Sequence, residues 1–463
     1  MNSSERSIRR YLAAAGAAFV LLAPGLAASN QSIAIGRAND VYEGNYRIAP
    51  DHAIGIARFM TDAGENVLLI ADYQSGVVRR LFPLSETEFV MGPGFAVQSP
   101  VELQVRFVKD GQGKTTGISL RSAADAVSFA ERVPLVEEAV EIANGDTKLA
   151  GILMKPPGKG PHPAIILLHG SGPLTRYSFG PYPRFFASLG LAVLVYDKRG
   201  TGASTGTRLD ASTGAQAPLP SAYYPEDLAN DALAVFRFLQ QRPEINHKEI
   251  GFWGSSEGGM LATQVAARDK EVAFAINSSG FMGPLWETIL YQAGAIPRSR
   301  GLSTAEVEEA REFAKLWMRV ARTGEDYDLF VSKREEIRKT NKALLSYYSD
   351  EYSSLAQMRW DWDHILSFSP LPALENVSCP VLGVFGELDS STDASNAASN
   401  MHKVLSGAGR GDFTVKIFPN AGHSLSEMPS KSRMAPGVFE ALRAWLLNRV
   451  HVAEPVQSKT EEP

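Results

Sequence analysis

Only one cysteine, Cys379, occurs in the 463 residues of this chain. A lone thiol excludes an intrachain disulfide and a cysteine-rich metal site. Its position before Pro380 and an apolar run reads as a buried structural group. Excess positive charge is also missing. The 46 Lys and Arg are outnumbered by 51 Asp and Glu, the net charge is −5, and no basic run is interleaved with aromatics. The electrostatics therefore offer nothing to nucleic acid. The apolar run at residues 11–23 is too short to cross a bilayer comfortably, so no stable membrane span is expected in the mature chain. No glycine fingerprint for a dinucleotide follows the first strand of a βαβ unit, and Gly158-Lys159-Gly160 is only a loop. No cofactor is expected. Asp361-Trp362-Asp363-His364 groups metal-type side chains, but no second ligand pair accompanies it, and it reads as a solvated or capped helix end. What remains is ordinary for a globular protein, with 44% hydrophobic and 21% charged residues, and the length allows two or three domains.

The first residues read as an address. Arg6, Arg9 and Arg10 precede the apolar run, and Gly25-Leu26-Ala27-Ala28 supplies small residues for cleavage. A secretory signal over residues 1–28 is the expectation. The residues after Arg9-Arg10 fall one position early for a twin-arginine motif. No cysteine near the cleavage site supports a lipid anchor. Export without disulfides suits a bacterial periplasm, or secretion.

Residues 32–133 show short alternating or β-rich runs separated by turns, as in Asn66-Val67-Leu68-Leu69-Ile70-Ala71 and Val101-Glu102-Leu103-Gln104-Val105. They predict a small all-β domain, a sandwich or barrel, used for packing or positioning. From residue 137 the rhythm changes. A hairpin around Asn144-Gly145-Asp146 leads into strands that are apolar throughout, at residues 164–168, 191–195, 250–253 and 272–276. Helical stretches such as residues 225–241 separate several of them. Such strands imply an α/β domain over residues 137–450, a mostly parallel sheet with helices on both faces. Residues 281–377 interrupt the strands with helix formers and aromatics and predict a helical cap over a pocket. The tail at residues 451–463 is polar and expected to be disordered.

The chemistry centres on Gly254-Ser255-Ser256-Glu257-Gly258, between an apolar strand and a helix. This is the G-x-S-x-G pattern of a nucleophile elbow. A strand that turns at once into a helix strains its middle residue and needs small neighbours where the backbones pass. Ser256 would then project its hydroxyl at a helix N-terminus, where backbone N–H groups can hold an oxyanion. Asp389 and His423 follow the strands at residues 381–385 and 413–418. Ser256, Asp389 and His423 thus occur in the order Ser, Asp, His, each past the carboxyl end of a strand. Serine needs a base, and the base an acid to fix its tautomer. Glu387 and Asp393 share the loop with Asp389; Glu387 would overshoot or face the cap, and Asp393 reads as a helix N-cap. The oxyanion donors expected are the N–H groups of Ser171 and Glu257, with Gly172 as substitute for Ser171. His169 reads as a structural histidine at a strand end.

These residues carry a family resemblance over residues 137–450. The loop His169-Gly170-Ser171-Gly172-Pro173, the turn Tyr196-Asp197-Lys198-Arg199-Gly200-Thr201-Gly202 and the elbow Gly254-Ser255-Ser256-Glu257-Gly258-Gly259 resemble those of α/β-hydrolases. The nearest resemblance is to bacterial secreted serine esterases with an extra N-terminal domain. It implies hydrolysis of short acyl esters through an acyl-enzyme, without a cofactor or metal, and a structural role for Asp197 and Arg199. Peptidase relatives usually carry a β-propeller, for which the N-terminal region is too short. Dehalogenase and epoxide-hydrolase relatives place Asp at the elbow, and dienelactone hydrolases Cys. The expectation is a carboxylesterase acting on a small-molecule ester. An acyl-peptide or amide hydrolase with the same triad, or a non-catalytic envelope binding protein of this fold, are the alternatives.

Overall fold

The computed structural model describes residues 41–61, 64–207, 224–341 and 354–452. The expected leader at residues 1–28 lies outside the described residues, as does most of the tail. Residues 451 and 452 are docked, since the His451 amide donates to Glu249 Oε2 at 3.2 Å.

The first eight strands are β1 Gly44–Ala49, β2 His52–Met60, β3 Asn66–Asp72, β4 Val78–Pro83, β5 Glu88–Met91, β6 Leu103–Lys109, β7 Thr115–Ser122 and β8 Val127–Val133. They form a closed antiparallel barrel, in which β1 pairs with β8 through Asn45↔Val133 and Arg47↔Glu131. Closure removes the sheet edges that would otherwise invite association. Tyr46, Ile56, Leu68, Ile70, Val105 and Ile118 fill the interior. Val67, Leu69 and Ala71 point the other way and are equally buried, in a core shared with the second half of the chain. Both faces of β3 are therefore covered, which is why its sequence is apolar throughout rather than alternating.

The α/β domain is built on an eight-stranded sheet. Its strands are β9 Val136–Asn144, β10 Thr147–Lys155, β11 His162–Leu168, β12 Ala192–Tyr196, β13 Ile245–Ser255, β14 Ala275–Ser278, β15 Val381–Gly386 and β16 Phe413–Phe418. The order is β16-β15-β14-β13-β11-β12-β10-β9. The β9–β10 hairpin pairs antiparallel, β10 pairs antiparallel with β12, and the remaining pairs are parallel. Period-two alternation divides each strand between two cores. Ile166, Leu168 and Phe252 face helices α2 Glu226–Gln240 and α3 Glu257–Arg268. Ile165, Leu167 and Trp253 face α1 Tyr182–Ser188 and the closing helix Val438–Leu447. Helices on both faces explain the unbroken apolar strands.

Between β14 and β15 lies the cap: α4 Leu285–Ser299, α5 Thr304–Thr323, α6 Tyr327–Thr340, α7 Leu355–Asp361, a π-helical turn Trp362–Leu366 and α8 Leu371–Leu374. It holds its own core of Phe313, Trp317, Phe330 and Met358. A capping box of Ser303 and Glu306 starts α5, and Gly324 at φ 83° ends it. Asp361 differs from expectation. It does end a helix, α7, but it is buried, not solvated; just beyond it His364 Nδ1 meets Trp360 O at 2.9 Å. Two further helices follow among the described residues, α9 Ala394–Gly407 and α10 Val438–Leu447.

Candidate active site

Only Ser256 stands between the end of β13 and the start of α3. Its backbone is at φ 56°, ψ −122°, a region that costs a residue with a Cβ about 1–3 kcal/mol. Three hydrogen bonds hold it there. The Ser256 amide donates to Ser278 O at 2.8 Å, and its carbonyl accepts from the amides of Gly259 at 2.9 Å and Met260 at 3.2 Å. The flanking glycines are required by contact. A Cβ on Gly254 would sit 1.9 Å from Gly258 O, and one on Gly258 would sit 2.2 Å from Leu168 O.

Asp389 comes three residues after β15 and is fully buried. Its Oδ1 accepts from the amides of Ser391 at 2.7 Å and Thr392 at 2.9 Å, and its Oδ2 meets His423 Nδ1 at 2.8 Å. A carboxylate at Nδ1 assigns the proton to that nitrogen and leaves the Nε2 lone pair as the basic site. His423 Nε2 is buried and, among the described residues, makes no hydrogen bond to Ser256 Oγ or any other group. Catalytic contacts of this kind are often long before substrate binds. The other two loop carboxylates are engaged elsewhere. Asp393 caps α9 by accepting from the Asn396 amide at 3.0 Å. Glu387 neither overshoots nor faces the cap. Its Oε2 accepts from the Asn420 amide at 3.0 Å, because the following loop passes directly beside it.

The loop after β11 lies against the elbow, and a Cβ on Gly170 would be 3.4 Å from Ser256 Cβ. Gly170 O accepts from Lys198 Nζ at 3.0 Å. Across a trans peptide the next N–H points the opposite way, so the amide of Ser171 is turned from Lys198. Ser171 is buried, and so is Gly172, which sits at φ 97° one residue further along. Glu257 opens α3, so its amide is one of the first-turn groups without an intrahelical acceptor. Such groups, with the helix dipole behind them, suit an anion.

The chain belongs to the alpha/beta hydrolase family. The family model, described as "Alpha/beta hydrolase family", matches residues 165–432, which contain the elbow, the loop after β15 and His423. Among curated relatives, Esterase EstD of Thermotoga maritima is 27% identical over 180 residues, covering 36% of this chain and 39% of the relative. An uncharacterized 31.7 kDa protein of Escherichia coli is 28% identical over 126 residues, covering 27% of this chain and 40% of the relative. The chain thus spans well under half the length of these relatives. Among solved structures, an esterase of Pyrococcus furiosus matches with a TM-score of 0.43 at 16% identity, over 68% of this chain and 92% of that one.

Within this alpha/beta hydrolase, several residues near the site escaped the sequence reading. Lys198 Nζ also meets Glu257 Oε2 at 2.6 Å, a pair buried on both sides. It ties the turn after β12 to the residue after Ser256 and to the Gly170 carbonyl. A lysine flanked by the recognisable Asp197 and Arg199 was the available signal. From the cap, Tyr291 Oη donates to Asp389 O at 2.6 Å and Gln292 Nε2 to Ser391 O at 2.8 Å. The residues read as structural are buried and bonded. Asp197 takes a bidentate pair from Arg176, at 2.9 and 2.7 Å. Although burial alone would raise its pKa, those hydrogen bonds hold the Asp197 carboxyl below the usual range. Arg199 grips Asp231 through two contacts of 2.7 Å. His169 packs on Phe179 at 4.4 Å, and burial, reinforced by the Lys198 charge, lowers its pKa to about 3. Its ring is therefore neutral at ordinary pH. Cys379 is partly buried, and burial pushes its thiol up to about 12, so it stays protonated.

Proposed function

We propose that this protein is a serine hydrolase that cleaves carboxylic esters of short acyl chains through an acyl-enzyme. The observation that carries the reading is the pairing of a strained Ser256, at φ 56° on the elbow, with a buried Asp389–His423 contact of 2.8 Å from neighbouring loops. Ser256 attacks the ester carbonyl, and His423 Nε2 takes the hydroxyl proton and passes it to the leaving alcohol. Asp389 holds the imidazole in its tautomer and stabilises the imidazolium. The amides of Ser171 and Glu257 receive the oxyanion, with Gly172 in place of Ser171 if the loop shifts by one residue. Water activated by His423 then releases the acid and restores Ser256. The name of the Thermotoga maritima relative, an esterase, supports the ester as substrate class. Export to the periplasm or medium, through the leader at residues 1–28, belongs to the same proposal.

The test is turnover of a panel of p-nitrophenyl esters from acetate to octanoate, beside aminoacyl anilides. The reading expects the short esters to be hydrolysed fastest, with activity lost in Ser256→Ala. Faster cleavage of the anilides would move the assignment to amide hydrolysis. Full turnover in Ser256→Ala would remove the serine mechanism altogether.

A further inference from the structure

The barrel meets the catalytic half of the molecule at α1, at the loop after β11, where the Met60 amide donates to Tyr177 O at 3.1 Å, and at the loop that carries His423. After β16 this loop runs back on itself in successive extended passes, joined by isolated antiparallel bridges Ala421↔Glu427 and Ser426↔Met434. Between the first two passes, the Met428 amide donates to Asn420 O at 2.8 Å and the Gly422 amide to Ser426 O at 2.9 Å. Between the second and third, the Glu427 amide donates to Arg433 O at 2.9 Å and the Ala435 amide to Leu425 O at 2.8 Å. The third pass then pairs with the barrel at Val77↔Arg433. There the Met434 amide donates to Gly76 O at 2.7 Å, and the Val78 amide to Ser432 O at 3.0 Å. Arg433 Nη2 adds a bond to Ser75 O at 2.6 Å. An unbroken ladder of backbone hydrogen bonds thus runs from the β3–β4 turn of the barrel to Gly422, the residue before His423.

The loop needs such support. Leu425 and Lys431 sit at φ 60° and 52°, conformations that persist for residues with a Cβ only where the surroundings hold them. On its other side the loop is held by the acid loop, through the Leu388 amide to Ala421 O at 2.8 Å and the Glu387 amide to Phe418 O at 3.0 Å. That side fixes the carboxylate against the imidazole. The barrel side fixes the passes beyond it, with Leu425 and Met434 buried in the same core as Val78 and Ala71 of the barrel. A purely packing domain would bury area without entering the hydrogen-bond pattern of the His423 loop at several successive residues.

We propose that the N-terminal barrel is a positioning domain for the base: its β3–β4 turn serves as an added strand that sets the register of the His423 loop and aims the imidazole at Ser256. This rests on the serine-hydrolase reading given above. Gly76 is the place to test it, because it sits at φ +78° and a Cβ there would meet Met434 O at 3.3 Å. A β-branched residue is both strained at that φ and crowded against the ladder.

The experiment uses the full chain with Gly76→Val, and Arg433→Ala with Arg433→Lys beside it. It reads kcat and KM on p-nitrophenyl acetate, and amide hydrogen exchange in the loop. A misplacement of about 1 Å can cost about 10²-fold in rate, so Gly76→Val should lose about 10- to 100-fold in kcat with KM nearly unchanged. The amides of Gly422 and Met428 should exchange faster, while those of β13 and α3 keep their protection. Arg433→Ala should give a smaller loss of the same kind, partly restored in Arg433→Lys. If circular dichroism shows that Gly76→Val disrupts the barrel, the Arg433 pair decides by the same two readouts. Faster exchange at residues 432–434 with wild-type protection at Gly422, or an opened ladder with wild-type kcat, overturns the proposal. Failure of the hydrolase reading looks different: the wild type itself shows no Ser256-dependent turnover, while exchange at Gly422 still reports whether the barrel holds the loop.

Discussion

The two sides of the site are built in opposite ways. The Ser256 side is local: strand, Ser256 and helix follow within a few residues, and the geometry is imposed by glycines that allow backbones to approach. The His423 side is assembled from afar. His423 depends on a carboxylate 34 residues earlier, and its loop reaches through Arg433 to Ser75, 358 residues away. Local steric demands leave a mark on sequence because only certain residues satisfy them. A backbone ladder leaves little mark, since any residue but proline can donate to it.

The largest loss is expected at Ser256, the proposed nucleophile. Ser256→Ala should lower kcat by about 10⁴-fold or more without affecting folding, whereas Ser255→Ala keeps most activity. Steady-state kinetics on a short ester, beside a thermal melt, checks both. Equal losses in the two variants would mean that the elbow does not single out its central residue.

The acid loop comes next. Asp389→Asn should preserve the fold and reduce kcat by about 10⁴-fold, because the imidazole is then held in the wrong tautomer. Asp393→Asn should change kcat and melting temperature little, since Asn also caps a helix. A dead Asp393 variant with an active Asp389 variant would transfer the acid role along the loop.

Lys198 sharpens the comparison, because it joins the local elbow to two distant segments. Lys198→Met removes the cation that meets the buried Glu257 carboxylate at 2.6 Å, which should cost about 3–5 kcal/mol in denaturant unfolding. Adding Glu257→Gln should recover much of that loss. Full stability in the single variant would show that the pair contributes nothing.

The smallest effect expected is at His169. Its folded pKa of about 3 lies below the ordinary value of 6.5, so the unfolded chain binds the extra proton between them. Stability from this group is complete above about pH 6.5 and is lost as pH falls towards 3, at up to about 1.4 kcal/mol per pH unit. His169→Gln should therefore flatten the decline of unfolding free energy between about pH 6.5 and 5. An unchanged slope would contradict a neutral buried ring.

Much of the fold was legible for identifiable reasons. The apolar strands of the sheet and of β3 are continuous because both of their faces are buried, and the hairpin at Gly145-Asp146 has a turn that pairs Asn144 with Thr147. The order Ser256, Asp389, His423 was visible because each follows a strand. Glu387 was misread because the position of the next loop, which supplies the Asn420 amide, is a tertiary fact. Lys198 and Glu257 lie 59 residues apart, and nothing local in either segment signals the other. Asp361 reads as a solvated or capped helix end and does end α7, but its burial is a tertiary fact with no local signature.

The central claim is that Ser256 is the nucleophile and that the Asp389–His423 pair activates it. Its most direct measurement is phosphonylation by a fluorophosphonate, with the adduct located by mass spectrometry in the wild type and in His423→Ala. The account predicts one adduct, on Ser256, with labelling suppressed in His423→Ala. An adduct on another residue, or equally fast labelling of Ser256 without His423, would contradict it.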